Sequence, residues 1–197
     1  MFDKLMIPLK LTLEFDTFLE YLCSIPEFKE SELHLVNVFP VSNQFDADTL
    51  DLLEKDTYEK QKEILVQRGY KVFLHNTFGQ FHREINRIAE ENDIDLIVTG
   101  SQSEFLISEL VLDPRSDDLI RNARFPLLTL SCQRDKKTKE VTYQGKGDRL
   151  FKQILFPTDF SDNAELALDY VLKPWLQKPR QVFISCTCRS INGFIPI

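Results

Sequence analysis

The sequence predicts an α/β protein: a doubly wound, five-stranded parallel sheet followed by a partial βαβ repeat. Three observations carry this. Five short apolar runs alternate with stretches whose apolar residues recur at helical spacing, the pattern of strands joined by crossover helices. Residues 2–22 (FDKLMIPLKLTLEFDTFLEYL) align without a gap with residues 151–171 (FKQILFPTDFSDNAELALDYV) at a constant offset of 149. At 197 residues the chain is longer than one domain of roughly 100 to 150 residues and cramped for two.

The elements follow in order. FDKLMIPL (2–9) reads as a buried first strand stopping at Pro8. From Thr12, a candidate N-cap, Phe15, Phe18, Leu19 and Leu22 share one helical face, with Pro26 just beyond. ELHLVNVF (32–39) is the second strand. Residues 46–68 place Leu50, Leu53, Ile64 and Leu65 around a polar middle, which predicts a peripheral helix with a wide solvated face. YKVFLH (70–75) is the third strand, and a helix after Gly79 turns Phe81, Ile85, Ile88 and Ala89 inward. DLIVTG (95–100) is the fourth strand. A helix from Pro114 packs Leu119, Ile120 and Ala123, and FPLLTLS (125–131) closes the sheet. The basic, glycine-containing stretch 133–150 reads as a solvated linker between a domain over 1–132 and a partial one over 151–197. At the same offset, ELHLVNVF falls on QVFISCTC (181–188), so the second copy repeats strand, helix and strand and then stops. A piece of that size buries too little surface to stand alone.

Composition narrows function. Hydrophobic content of 43% with 28% charge is that of a globular protein, and no apolar run reaches the roughly 18 residues of a membrane span. Asp3, Lys4 and Lys10 break the apolar N-terminus, so it does not read as a signal peptide, and a cytoplasmic setting is the default expectation. A net charge of -7 argues against nucleic acid. Cys23, Cys132, Cys186 and Cys188 lack zinc or redox spacing and read as reduced thiols, with Cys23 on a buried helix face.

The strand order, ENDIDLIVTG, the FPLLTL strand and ILFPTDFSDNAELALDYV together resemble the universal stress protein family in its tandem form, with a degenerate first domain over 2–131 and an incomplete second. The resemblance implies an adenine nucleotide alpha hydrolase-like fold. It also implies a nucleotide site built from an Asp after the first strand and a loop G-x-x-G-x9-G-[ST] after the fourth. Mapped onto this sequence, the positions are Pro8, Lys10, Val36, Gly100, Ser101, Ser103 and Asp113, with Asp159 in the partial repeat. The loop keeps its length and changes its chemistry. Ser103 stands where a second glycine lets backbone approach a pyrophosphate, and Asp113-Pro114 stands where Gly-Ser closes the loop. Asp113 is placed to cap the following helix with its own carboxylate, while Pro114 brings neither an N-H nor a hydroxyl. Lys10 replaces the family's carboxylate; it reads either as a cation for a phosphate or as a solvated lysine. In the second copy Pro157-Thr158-Asp159-Phe160-Ser161 keeps the family pattern, read either as half a nucleoside site or as a helix cap by Ser161.

Catalysis has little support. His34 lies within a strand, His75 ends one and His82 starts a helix, with no metal spacing among them. Asp117-Asp118 and Glu91, Asp93 and Asp95 read as solvated carboxylates, and no G-x-S-x-G elbow follows Gly100. The expected function is therefore a non-catalytic, regulatory or scaffolding role in stress response, with no cofactor or only weak ATP or AMP. A sensor binding AMP or ATP in the crevice at the carboxyl ends of the strands is the alternative, and a hydrolase a third reading. Homodimerisation through the edge strand 126–131 is expected, because the incomplete repeat lacks the strand that would cover it.

Overall fold

The structure is a computed structural model that describes residues 2–9, 14–39, 58–102, 114–135, 137–138, 140–143, 153–172, 181–186 and 195–196. The chain divides into one compact unit over Phe2–Gly147 and a second over Asp148–Ile197.

In the first unit β1 (Lys4–Pro8), α1 (Glu14–Ser24) and β2 (Glu32–Phe39) are followed by a helix over 58–67 (α2), β3 (Val72–Phe78), α3 (Phe81–Glu91), β4 (Leu96–Gln102), α4 (Pro114–Asn122) and β5 (Leu127–Arg134). The first five strands form the expected parallel sheet, and their order is 3-2-1-4-5. A sixth strand, β6 (Val141–Tyr143), joins β5 antiparallel from Cys132↔Tyr143 to Arg134↔Val141. The stretch read as a linker from residue 133 thus begins with the end of β5 and a short hairpin. Asp135 sets its turn by accepting from the N-H groups of Lys137 and Thr138 (2.7 and 2.9 Å).

Strand β1 has its apolar residues buried on both faces: Leu5, Met6 and Ile7 are fully covered. Its start is clamped by Asp95, whose Oδ2 accepts from the backbone N-H groups of Asp3 (2.8 Å) and Lys4 (2.9 Å). Met6, Val36, Val38 and Ile97 pack with Ile85, Ile88 and Ala89 of α3 and Leu119 of α4. Helix α3 ends in a Schellman turn, with Ile94 N-H donating to Ala89 O (3.0 Å) and Asp93 at φ 52, where glycine would be unstrained.

The details depart from the sequence reading at several points. The strands β3, β4 and β5 run two or three residues further than expected, so His75 is internal to its strand and Gly100 lies within β4. Residues with turn-like composition are carried on because a neighbouring strand supplies their ladder, as in Ser101↔Ser131 and Gln102↔Cys132. On α2 the buried stripe is Tyr58, Gln61 and Leu65, and Ile64 is exposed; on α4 Leu119 is buried but Ile120 is exposed. In each helix the apolar face is narrower than composition suggested, because one sheet contact buries about a third of the circumference. Thr12, Leu50 and Leu53 lie outside the described residues. Cys23 is only partly buried.

The second unit contains β7 (Gln153–Thr158), α5 (Asp162–Leu172), β8 (Gln181–Cys186) and β9 (Ile195–Pro196). Strands β7 and β8 are parallel and β9 adds antiparallel to β8.

Parallel pairing also makes a contact that spacing along the chain conceals. The register His34↔Phe73 and Val36↔His75 puts His34 and His75 on one face, with Nδ1 of His34 3.0 Å from Nε2 of His75 and the rings nearly parallel. Nε2 of His34 is buried with no partner among the described residues. A proton shared from His34 Nδ1 leaves that Nε2 as a bare acceptor, which is cheaper to bury than an unsatisfied N-H. Burial, reinforced by His75, pushes the His34 imidazolium from its usual 6.5 down to about 4, with Lys4 and Lys71 acting in the same sense and Glu32 opposing them. The unfolded chain binds this proton more readily than the folded one. The contribution to stability is therefore intact above pH 6.5 and is lost as pH falls towards about 4. Equilibrium unfolding across this window should show a loss of up to roughly 3 kcal/mol, and His34→Gln should flatten the slope even where it lowers stability overall.

Candidate functional site

The strand order reverses between β1 and β4, and at such a reversal the loops leaving the two strands turn to opposite sides and open a crevice. The ladder shows the opening directly. Strand β1 pairs with β4 only at Leu5↔Leu96 and Met6↔Ile97, whereas β4 continues to Gln102 against β5. Pro8, which has no N-H, falls just past the last β4 pairing, where none is needed on that side. On the other side β1 stays attached to β2: Pro8 pairs with Val36, and Leu9 N-H donates to Val36 O at 2.7 Å.

Of the residues named from the sequence, Pro8 and Val36 are therefore register partners, both buried, on one wall of the crevice. Gly100 and Ser101 lie on β4, the other wall. Lys10, Ser103 and Asp113 lie outside the described residues. Asp159 belongs to the second unit, where it accepts from Ser161 N-H (3.0 Å) while Ser161 Oγ accepts from Ala164 N-H (3.3 Å). Hydrogen bonds from Ser161 hold the exposed Asp159 carboxyl below its ordinary range. This pair caps α5, with Phe160 between them at φ 59.

Gly100 is the residue whose surroundings are most specific. A Cβ built there would lie 3.2 Å from the Tyr143 hydroxyl and 3.3 Å from Phe18 Cδ2. Tyr143 reaches this position from β6 and stacks on Tyr21 (4.9 Å, 15°), while Phe18 meets Tyr143 edge-on (5.9 Å) and stacks on Phe15. An aromatic group from the hairpin and α1 thus covers one side of β4 at the mouth of the crevice. Sequence reasoning missed it. The only trace was the alternation Val141, Thr142, Tyr143 inside a basic stretch.

Two other polar arrangements involve α3. His82 Nδ1 lies 2.9 Å from Asp118, so this carboxylate is engaged by the neighbouring helix and not merely solvated. Thr77 and Arg87 hold Glu84, drawing its carboxyl below the usual range. Among the described residues no three His, Cys, Asp or Glu side chains form a metal set, and no helix is long and apolar enough to cross a membrane.

A Cβ at Gly100 would press on the Tyr143 hydroxyl and on Phe18 by a few tenths of an ångström, so Gly100→Ala should lower stability by about 1 kcal/mol through overpacking. Urea unfolding would detect this, and the loss should shrink in a Tyr143→Phe background, where the nearest clashing atom is gone.

Comparison with known proteins places this geometry. The family model described as "Universal stress protein family" matches residues 1–131. Universal stress protein G of Salmonella typhimurium is 25% identical over 113 residues, covering 52% of this chain and 79% of that protein. The solved structure of MJ0577, a protein of Methanocaldococcus jannaschii, is similar at a TM-score of 0.53 and 23% identity, covering 66% of this chain and 96% of its own. A universal stress protein of Archaeoglobus fulgidus, solved in complex with dAMP, is similar at a TM-score of 0.50 and 16% identity, covering 65% and 97%.

Proposed function

The chain belongs to the universal stress protein family, and from that premise we propose that it is a non-catalytic, regulatory member whose first unit binds adenine nucleotide weakly or not at all. The observation that carries this reading is the loop that starts at Gly100. It keeps the length of a phosphate loop, yet offers Ser103 and Asp113-Pro114 where backbone N-H groups and a hydroxyl would meet phosphate. An Asp at the helix N-terminus satisfies those N-H groups itself and repels an incoming anion. The aromatic cover over Gly100 supports the same conclusion, because it fills one side of the wall from which the loop departs.

A second reading, a sensor for AMP or ATP, is favoured by the open switch point between β1 and β4 and by the dAMP held by the Archaeoglobus fulgidus relative. Lys10 would then supply the cation for a phosphate. Titration calorimetry with ATP and AMP separates the two. The regulatory reading expects no saturable heat and no thermal shift at millimolar nucleotide, and a clear saturable response to either would replace it with the sensor. Restoring Ser103→Gly, Asp113→Gly, Pro114→Ser and Lys10→Asp together should create ATP binding in a chain that lacks it.

A regulatory protein acts through contacts, and the edge of the sheet offers one. Strand β6 pairs with β5 only from Cys132 to Arg134, so Leu127–Ser131 has no strand partner on its outer side among the described residues. The proposal includes a homodimer through this edge, since a short apolar strand edge recruits another. Sedimentation at increasing concentration should show a dimer, and a mass that stays monomeric throughout would count against it.

A further inference from the structure

We propose that the groove between α3 and α4 is a binding site for a phosphate monoester, separate from the crevice between β1 and β4. The groove measures about 520 Å³ and is lined by His82, Arg83, Asn86, Arg87, Glu90, Asn122 and Arg124. Its lining carries three arginines and one glutamate, and because Arg87 is paired with Glu84 and Glu91, the cations left to meet an anion are Arg83 and Arg124.

The groove is a built feature of the fold. At its floor the buried Asn86 joins the two sides: its Nδ2 donates to Asn122 O (2.9 Å), and its Oδ1 accepts from Arg124 N-H (3.0 Å). This fixes the backbone from which the Arg124 side chain leaves. Nearby, Asp118 of α4 holds His82 Nδ1 at 2.9 Å, which fixes the ring and leaves Nε2 as its remaining polar atom. Arg87 is already committed to Glu84 and Glu91 (both 2.8 Å). Arg83 and Arg124 have no ion pair among the described residues, and these two arginines line the groove from α3 and from the segment between α4 and β5.

Two guanidinium forks facing one space match the several acceptor oxygens of a phosphate, which takes paired N-H donors from each. A carboxylate has fewer oxygens to divide between them. Glu90, also in the lining, disfavours an anion that approaches it and leaves Arg83 and Arg124 as the groups that would hold the charge. The volume exceeds that of an isolated phosphate and admits the group to which the ester is attached. The ligand is thus either a free phosphorylated small molecule or a phosphorylated side chain of a peptide, and both present the same chemistry.

The test uses the full chain at low ionic strength, with orthophosphate, phosphoserine and a phosphoserine peptide titrated in parallel. Binding is read by calorimetry and by the ring resonances of the three histidines. The His82 resonances should shift with saturation while those of His34 and His75 stay in place. Arg83→Gln and Arg124→Gln should each weaken binding by on the order of tenfold, with circular dichroism unchanged. Lys62→Gln on α2 should leave binding intact. Tighter binding of the peptide than of phosphoserine supports the site and assigns it to a phosphorylated segment; equal binding supports the site and assigns it to small phosphate esters. Absence of saturable binding by all three probes, or binding retained when both arginines are replaced, would overturn the proposal.

Discussion

The rest of the structure depends on β1 lying at the centre of the sheet with its N-terminus fixed. Asp95 holds the first two N-H groups of the strand, and Leu5, Met6 and Ile7 are buried between helices on the two faces. With β1 so placed, β2 and β3 extend the sheet one way and β4 and β5 the other. The reversal that results separates the carboxyl ends of β1 and β4. The candidate crevice follows from that topology and requires no particular loop sequence.

Whether such a crevice takes a nucleotide is decided by the groups that project into it. Crevice and loop length belong to the fold, whereas affinity for a triphosphate rests on a few N-H groups left free at a helix N-terminus. Under the proposed reading, a capping carboxylate at Asp113 and a proline at 114 would remove those donors and still suit the start of a helix. Such a change would retain stability while giving up a ligand, which is how the proposed reading reconciles a family fold with an altered loop.

Much of the fold was legible in the sequence because the burial of central strands leaves a simple trace. ELHLVNVF could be read as a buried strand, and Ile85, Ile88 and Ala89 as one helix face, since each signal lies within a few residues. The candidate site was legible only as positions in a motif. What escaped were pairings between distant segments. His34 meets His75, His82 meets Asp118, and Tyr143 covers Gly100 through contacts set by strand register and helix packing. The hairpin strand was hidden by its composition, because lysines beside a short Val-Thr-Tyr alternation resemble a linker until Cys132 pairs with Tyr143. Ile64 and Ile120 erred in the other direction, since an apolar residue at the border of a helix face can be left outside without appreciable cost.

The central claim is that the crevice of the first unit has kept its shape and lost its hold on adenine nucleotides. The most direct measurement is the nucleotide content of protein isolated under native conditions, released by acid and quantified chromatographically against protein concentration. The account predicts no adenine nucleotide above background. ATP or AMP approaching one equivalent per chain would contradict it.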